Sequence, residues 1–393
     1  MFKNRNLLVV SIIAVVNALG YGITIPLIYS YSQRFGLSDF ENGLLFSVFS
    51  LAQFVATPII GRMSDKYGRK PLLLISLIGT AVSFVMMAFA NSAFMLFFAR
   101  ALDGITAGNI PVASAVISDT TEAKDRARGF AIIGASFGFG FAFGPAISSF
   151  TVGFGHAVPF LIAAAVTLVA ILLTAFVLAE TNTHEKEVAH RKLFDFKRLI
   201  SALSDPVVGK TLTLSLLYAF AFGIYIYAFQ PFSIKALGMS DQLVAITFTA
   251  VGIVGFIAQI FVIPWILKKM SEQHLLIYSL YAMAAMFLLM FFIRNQYHFI
   301  LAAMTFAFAN SFAAPLIQTF LSKEADAQSQ GTILGLNASY MSIGLIFGPI
   351  IGGSLATLSI ASPFLAASAF VGGGIYLAGQ IIQQHKAKLH TFG

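Results

Sequence analysis

The chain has 393 residues, 58% of them hydrophobic and 10% charged, with a mean hydropathy of +0.86. That is more apolar surface than one water-soluble core can hide, and it reads as an integral membrane protein. The formal charge of +8 does not point to nucleic acid, because the basic residues sit in short segments beside apolar runs, and the lack of cysteine excludes disulfides, thiolate chemistry and Cys-based metal sites.

Apolar runs predict twelve helices, at about 7–31, 41–61, 71–90, 94–118, 128–151, 157–179, 207–231, 242–267, 274–293, 298–321, 331–356 and 362–382. The expected fold class is an all-α membrane protein of twelve transmembrane helices, with the lipid bilayer as its solvent. Lys3 and Arg5 pass straight into the first run without a small-residue cleavage site, so a retained first helix is expected there. With a cytoplasmic N-terminus the 24 basic residues divide as 20 on inner segments, 3 on outer loops (Arg34, Lys235, Arg294) and Arg100 within a span. This asymmetry places both termini in the cytoplasm.

Between the second and third runs, Gly61 to Pro71 is expected to form a tight charged loop. Asp65 is expected to cap exposed N–H groups, Gly68 to supply a positive φ, and Pro71 to open the next helix. Arg62, Lys66, Arg69 and Lys70 hold the segment on the cytoplasmic side. The spacing of Gly61, Asp65, Gly68, Arg69 and Lys70 resembles the loop signature between the second and third spans of the major facilitator superfamily. The resemblance implies two pseudo-symmetric six-helix bundles. It also implies a conformational switch made of Gly61, Asp65, Gly68 and Arg69 with Asp119, which matches the family's partner acid at the cytoplasmic end of the fourth span.

In the fourth run, Arg100 and Asp103 are the charges expected deep in a span, three residues apart on one helix face. Asp103 falls roughly 13 Å along a core of about 30 Å. Two readings stand: a carboxylate that gains and loses a proton, and a permanent ion pair that neutralises Arg100. Arg100 with Gly104, followed by Ala107 and Gly108, resembles the fourth-span signature of proton-coupled members of the family. The family often has a neutral polar residue where this chain has Asp103. Drug exporters of this kind often carry an acid in the first span, where this chain offers Asn17.

In the fifth run, Gly140-Phe-Ala-Phe-Gly144-Pro145 resembles the signature of the antiporter branch, with Ser148 and Ser149 where that signature has a glycine pair. Physically, Gly140 and Gly144 permit close helix packing and Pro145 permits a bend. The polar stretch 181–205 is the expected domain boundary, dividing 1–180 from 206–393. Leu193, Phe196, Ile200 and Leu203 recur there at helical spacing beside Lys192, Lys197 and Arg198, as in a helix lying on the inner membrane surface or in a solvated linker helix.

The two halves repeat. Gly36-Leu-Ser-Asp39 and Gly238-Met-Ser-Asp241 stand 202 residues apart, and Tyr21 with Tyr225, Pro111 with Pro315, Gly140 with Gly344 and Gly144-Pro145 with Gly348-Pro349 stand 204 apart. Internal duplication fits a transporter whose two bundles rock about a site near the midplane. The charged segment has decayed in the second copy, where Trp265, Lys269 and Glu272 stand opposite Gly61, Asp65 and Gly68.

An aromatic, neutral substrate cavity is expected from Asn17, Tyr21 and Gln53 in the first half and Tyr218, Tyr225, Gln230, Asn310, Asn337 and Tyr340 in the second. Each of these polar groups is equally suited to joining two helices. No P-loop and no HExxH motif is present. The expected protein is no enzyme and has no cofactor or metal. By resemblance it is a monomeric drug:proton antiporter, tetracycline-exporter-like, with an amphiphilic small molecule and protons as its partners. A bacterial inner membrane suits so compact a chain. A proton-independent carrier of a neutral metabolite or lipid, and a non-transporting receptor, are the alternatives.

Overall fold

The computed structural model describes residues 5–121, 126–182, 196–325 and 329–391. Its helices are α1 (Arg5–Thr24), α2 (Ile28–Gln33), α3 (Asp39–Tyr67), α4 (Arg69–Ala88), α5 (Ala93–Thr106), α6 (Ile110–Thr120), α7 (Arg126–Thr151), α8 (Ala157–Phe176), α9 (Phe196–Ala202), α10 (Gly209–Pro231), α11 (Asp241–Ile257), α12 (Ile263–Ile266), α13 (Glu272–Phe292), α14 (Gln296–Glu324), α15 (Gln330–Ala356) and α16 (Ser362–Thr391). Each of the twelve predicted runs falls on helix. Among the described residues, ten helices are long and apolar enough to cross a membrane. Phe94, Phe154 and Phe176 are about four-fifths exposed. Such a surface is stable only against lipid or another apolar partner.

Proline accounts for most departures from the expected spans. Pro26 cannot donate a helix bond, and the first run is split into α1 and α2. The fourth run is split into α5 and α6 by a 3₁₀ turn, Ala107–Asn109, just before Pro111. Pro231 precedes the wide turn Phe232–Ala236, and Pro264 follows a second one, Ala258–Val262. The charged stretch is the main correction. It is not a loop: α3 runs through Gly61 and Asp65 to Tyr67, Gly68 alone breaks the helix with φ 101°, and α4 starts at Arg69. Backbone bonds continue wherever the geometry allows, and only glycine reaches that φ without strain.

The chain forms two compact units. The first comprises 1–38, 48–193 and 240–252, the second 39–47, 194–239 and 253–393. In the first, Val9, Ile13, Leu73, Leu77, Val112, Val116 and Leu178 form a buried apolar core shared by α1, α4, α6 and the segment just after α8. In the second, the core is aromatic: Tyr225 lies 4.2 Å from Phe306 between ring centroids, and Phe232 lies 5.2 Å from Phe299 and 5.0 Å from Phe364.

Each unit contains the same glycine crossing. A Cβ on Gly22 would meet the Gly140 carbonyl at 2.7 Å, and one on Gly223 would meet the Gly344 carbonyl at 2.4 Å; Gly140 approaches Ala18 as Gly344 approaches Ala219. Small residues thus set α1 against α7 and α10 against α15 at near backbone contact. The crossing also refines the repeat. α7 and α15 correspond at a spacing of 204, but α1 and α10 correspond at 201, so Phe222 rather than Tyr225 occupies the place of Tyr21. The three-residue difference puts Tyr21 half-buried beside Phe49 and Phe141, while Tyr225 is 2% exposed inside the aromatic core.

In the linker, α9 docks through Leu199, whose carbonyl accepts the Tyr340 hydroxyl. Ile200 is exposed. Lys192 and Leu193 lie outside the described residues.

Candidate functional site

Two charged constellations stand out in the first unit. The first is a cluster around Arg69. Its guanidinium reaches back across the Gly68 break to Asp65 at 2.6 Å, to Asp119 at the end of α6 at 3.2 Å and to the Ser64 hydroxyl at 2.6 Å. Arg69 is 5% exposed, so this cation depends on its partners. Asp65 therefore binds a side chain instead of capping a helix.

The cap comes from Glu180, a residue whose importance the sequence did not reveal. Its carboxylate accepts the backbone N–H of Arg69 at 2.9 Å and of Lys70 at 3.1 Å, and also those of Thr181 and Asn182 at 2.9 Å each. A carboxylate at a helix N-terminus satisfies orphan donors and faces the positive end of the helix dipole. Gly68 is required here twice over, because a Cβ would meet Glu180 Oε2 at 2.6 Å in a backbone conformation that L side chains avoid. The Asn182 amide closes the ring by donating to the Asp65 carbonyl at 2.7 Å. Gly61 joins these contacts through its backbone alone: its carbonyl accepts the Ser64 hydroxyl at 2.7 Å, and a Cβ there would come no nearer than 4.0 Å to Pro111.

Burial alone would raise the Glu180 pKa, but the four backbone donors outweigh it and hold the carboxyl below its ordinary value. A depressed carboxyl stabilises the folded form above its unfolded pKa, and that contribution is lost as pH falls through the folded one. Protection of the Arg69 and Lys70 amides from hydrogen exchange is therefore expected to hold at neutral pH and to fall below about pH 4. Glu180→Gln is expected to lower it about fivefold at neutral pH, the loss of a helix cap being worth about 1 kcal/mol. Unchanged protection in that variant would show that Glu180 does not cap α4.

The second constellation is Arg100 with Asp103. The guanidinium lies 3.1 Å from the carboxylate, with side-chain exposures of 3% and 9%, so the pair faces the interior of its unit and not the lipid. Arg100 also sits 4.3 Å above the Phe49 ring, which partly replaces the water it has lost. Phe49 in turn stacks near Tyr21 at 5.6 Å. Gly104 makes this proximity possible, since a Cβ there would strike the Phe49 carbonyl at 2.3 Å.

The polar residues expected in a cavity mostly bond to neighbouring helices. The Asn17 amide donates to Asn109 at 2.8 Å. Pro111 has no N–H to offer the Ala107 carbonyl four residues earlier, and Gln53 supplies that donor at 3.3 Å. Tyr218 donates to Asn310 at 2.9 Å, Ser215 donates to Asn337, and Tyr340 donates to Leu199. The Tyr225 hydroxyl is buried without a hydrogen-bond partner, and Gln230 is fully buried. Ser148, in place of an expected glycine, donates to the Ile23 carbonyl at 2.9 Å and ties α7 to α1 beside Gly144 and Pro145.

These helices, with a buried ion pair in one and a charged clamp at the break between two others, define an integral, multi-pass membrane protein. The chain belongs to the Major Facilitator Superfamily, whose profile matches residues 10–349. It is 31% identical to Multidrug resistance protein 1 of Bacillus subtilis (strain 168) over 362 residues, covering 91% of this chain and 92% of that one. It is 27% identical to the class H tetracycline resistance protein of Pasteurella multocida over 377 residues, covering 91% and 90%. Among solved structures, a bacterial homologue of the human lysosomal transporter Spinster superposes with a TM-score of 0.76 at 15% identity, covering 97% of this chain and 96% of that one, and so shares the major facilitator fold.

Proposed function

We propose that this protein is a secondary active transporter that exports amphiphilic, drug-like small molecules by alternating access, in exchange for protons. The observation that carries the coupling is the Arg100–Asp103 pair, a carboxylate and a guanidinium 3.1 Å apart with almost no exposure. An intramembrane charge is costly enough that it persists where function uses it. The cargo class rests on the relatives, named for multidrug and tetracycline resistance and matched along nine-tenths of the chain.

In this reading Asp103 takes a proton from one side and releases it to the other, and Arg100 lowers the barrier to release by favouring the anion. The cluster of Asp65, Gly68, Arg69 and Asp119, with Gly61 at its α3 end, forms and breaks as the carrier changes state. Gly140, Gly144 and Pro145 let α1 and α7 pivot at close range. Tyr21, Asn17, Gln53, Tyr218, Tyr225, Gln230, Asn310, Asn337 and Tyr340 make contacts with an apolar, weakly polar cargo, and those now bonded to neighbouring helices give up those bonds to do so. The protein works as a monomer in a bacterial inner membrane with both termini cytoplasmic.

A proton-independent carrier of a neutral metabolite or lipid is the second reading. The short Arg100–Asp103 distance favours it, because a permanent pair moves no proton. Reconstitution into liposomes with a fluorescent amphiphilic dye tests both. Uphill dye movement driven by an imposed pH gradient is expected, and dye flux indifferent to the gradient would overturn the antiport reading.

A further inference from the structure

The second copy of the charged segment is reversed in sign, not merely decayed. Pro111 and Pro315 fix an offset of 204 between α6 and α14, and at that offset Lys323 stands where the first unit has Asp119. Glu272, one position out of that register, opens α13 as Arg69 opens α4. The ion pair is therefore kept with its charges exchanged: Arg69 reaches Asp119 at 3.2 Å, and Lys323 reaches Glu272 at 2.6 Å. The third member is exchanged as well, because Lys269 stands opposite Asp65.

The reversal leaves the second unit with cations to spare. Asp65 binds Arg69 at 2.6 Å, but Lys269 forms no ion pair with Glu272. Its ammonium lies 4.1 Å from the centre of the Trp265 ring instead. Lys268 beside it has no carboxylate partner among the described residues, and both lysines are exposed. The one carboxylate at this corner is taken by Lys323, so two ammonium groups stand without a counter-charge.

The surface beside them says which anion fits. The helical stretch that leads into the two lysines leaves Ile257, Ile260, Phe261 and Trp265 between 45% and 65% exposed, an apolar face that calls for lipid chains. It ends at Trp265, an aromatic of the kind that settles where chains meet headgroups. A soluble anion would meet the lysines and leave the apolar face bare, and a zwitterionic lipid brings a cation of its own. We propose that Trp265, Lys268 and Lys269 form a docking site for an anionic phospholipid, its phosphate on the two ammonium groups and its acyl chains along Phe261 and Ile257. The headgroup supplies the negative charge that Asp65 and Asp119 supply in the first unit. The site requires only that the chain spans a membrane, and it is independent of cargo and coupling ion.

Trp265 is the only tryptophan in the chain, so its fluorescence reports this corner alone. The full chain is placed in phosphatidylcholine nanodiscs in which rising fractions of brominated phosphatidylglycerol or brominated phosphatidylcholine replace the host lipid, and quenching of Trp265 gives the relative affinity for the two. Phosphatidylglycerol is expected to bind at least about fivefold more tightly, the worth of one lysine at an anionic surface. Lys268→Gln with Lys269→Gln is expected to bring the two lipids level. Lys268→Arg with Lys269→Arg is expected to keep the preference, which shows that the glutamine variant lost charge and not fold. Equal quenching by the two lipids in the wild type would overturn the site. So would a preference that survives in the glutamine variant, since it would come from the +8 charge of the whole chain, and so would displacement of the brominated phosphatidylglycerol by inorganic phosphate, the mark of a soluble-anion site.

Discussion

Asp103→Asn is expected to abolish uphill, pH-gradient-driven transport while leaving downhill exchange measurable. The reasoning has two parts, and they separate by experiment. Removing the carboxylate strands Arg100 with 3% side-chain exposure beside the Phe49 ring, which cannot replace a counter-charge. Breaking a buried pair from one side costs about 3–5 kcal/mol. Part of the defect would therefore be stability, seen as a lower unfolding temperature in detergent. Replacing both partners, Arg100→Met with Asp103→Leu, removes the stranded charge and is expected to recover most of that stability, as apolar replacements of buried pairs do. Coupling should not return. If the double variant, once stable, still drives dye uphill at a rate within about threefold of wild type, less than 1 kcal/mol of barrier, Asp103 carries no proton and the pair is only structural.

The spans were legible because a bilayer demands long apolar runs, and Arg100 and Asp103 stood out because charge in such a run is rare. Gly68 was legible as a turn, and its φ of 101° is the geometry that glycine alone adopts freely. The length of α3 was not. Charged residues read as loop, yet Gly61 to Tyr67 stay helical, and Asp65 is paired with Arg69 across the break at Gly68. Glu180 escaped notice because its partners lie 110 and 111 residues away, and no local pattern encodes so distant a return of the chain. The same holds for Gln53, whose bond to Ala107 answers a vacancy made by Pro111 on another helix. The offset between the halves was also misread by three residues on one helix: identical letters drew Tyr21 to Tyr225, whereas backbone contact at Gly22 and Gly223 decides the register.

The second large effect is expected at Arg69. Its guanidinium binds Asp65, Asp119 and Ser64 at once, joining the end of α3, the start of α4 and the end of α6. Arg69→Met keeps the apolar stem and leaves the backbone N–H free to reach Glu180, so the α4 cap survives while the clamp is lost. Two carboxylates then face each other without the cation that neutralised them. The loss is expected to be about 3 kcal/mol, near the lower figure for breaking a buried pair because Asp65 and Asp119 keep some access to water. That corresponds to roughly a hundredfold fall in the protection of the α6 C-terminal amides from hydrogen exchange. Arg69→Lys should fall between the two, since one ammonium cannot reproduce a planar fork that engages partners on separate helices. Asp119→Asn should cost less than Arg69→Met, because Asp65 still holds the cation at 2.6 Å. The order of the three variants is the test. If Arg69→Lys matches wild type, charge alone suffices and the forked geometry has no role; if Asp119→Asn is as damaging as Arg69→Met, the clamp rests on the α6 contact and not on the bond to Asp65.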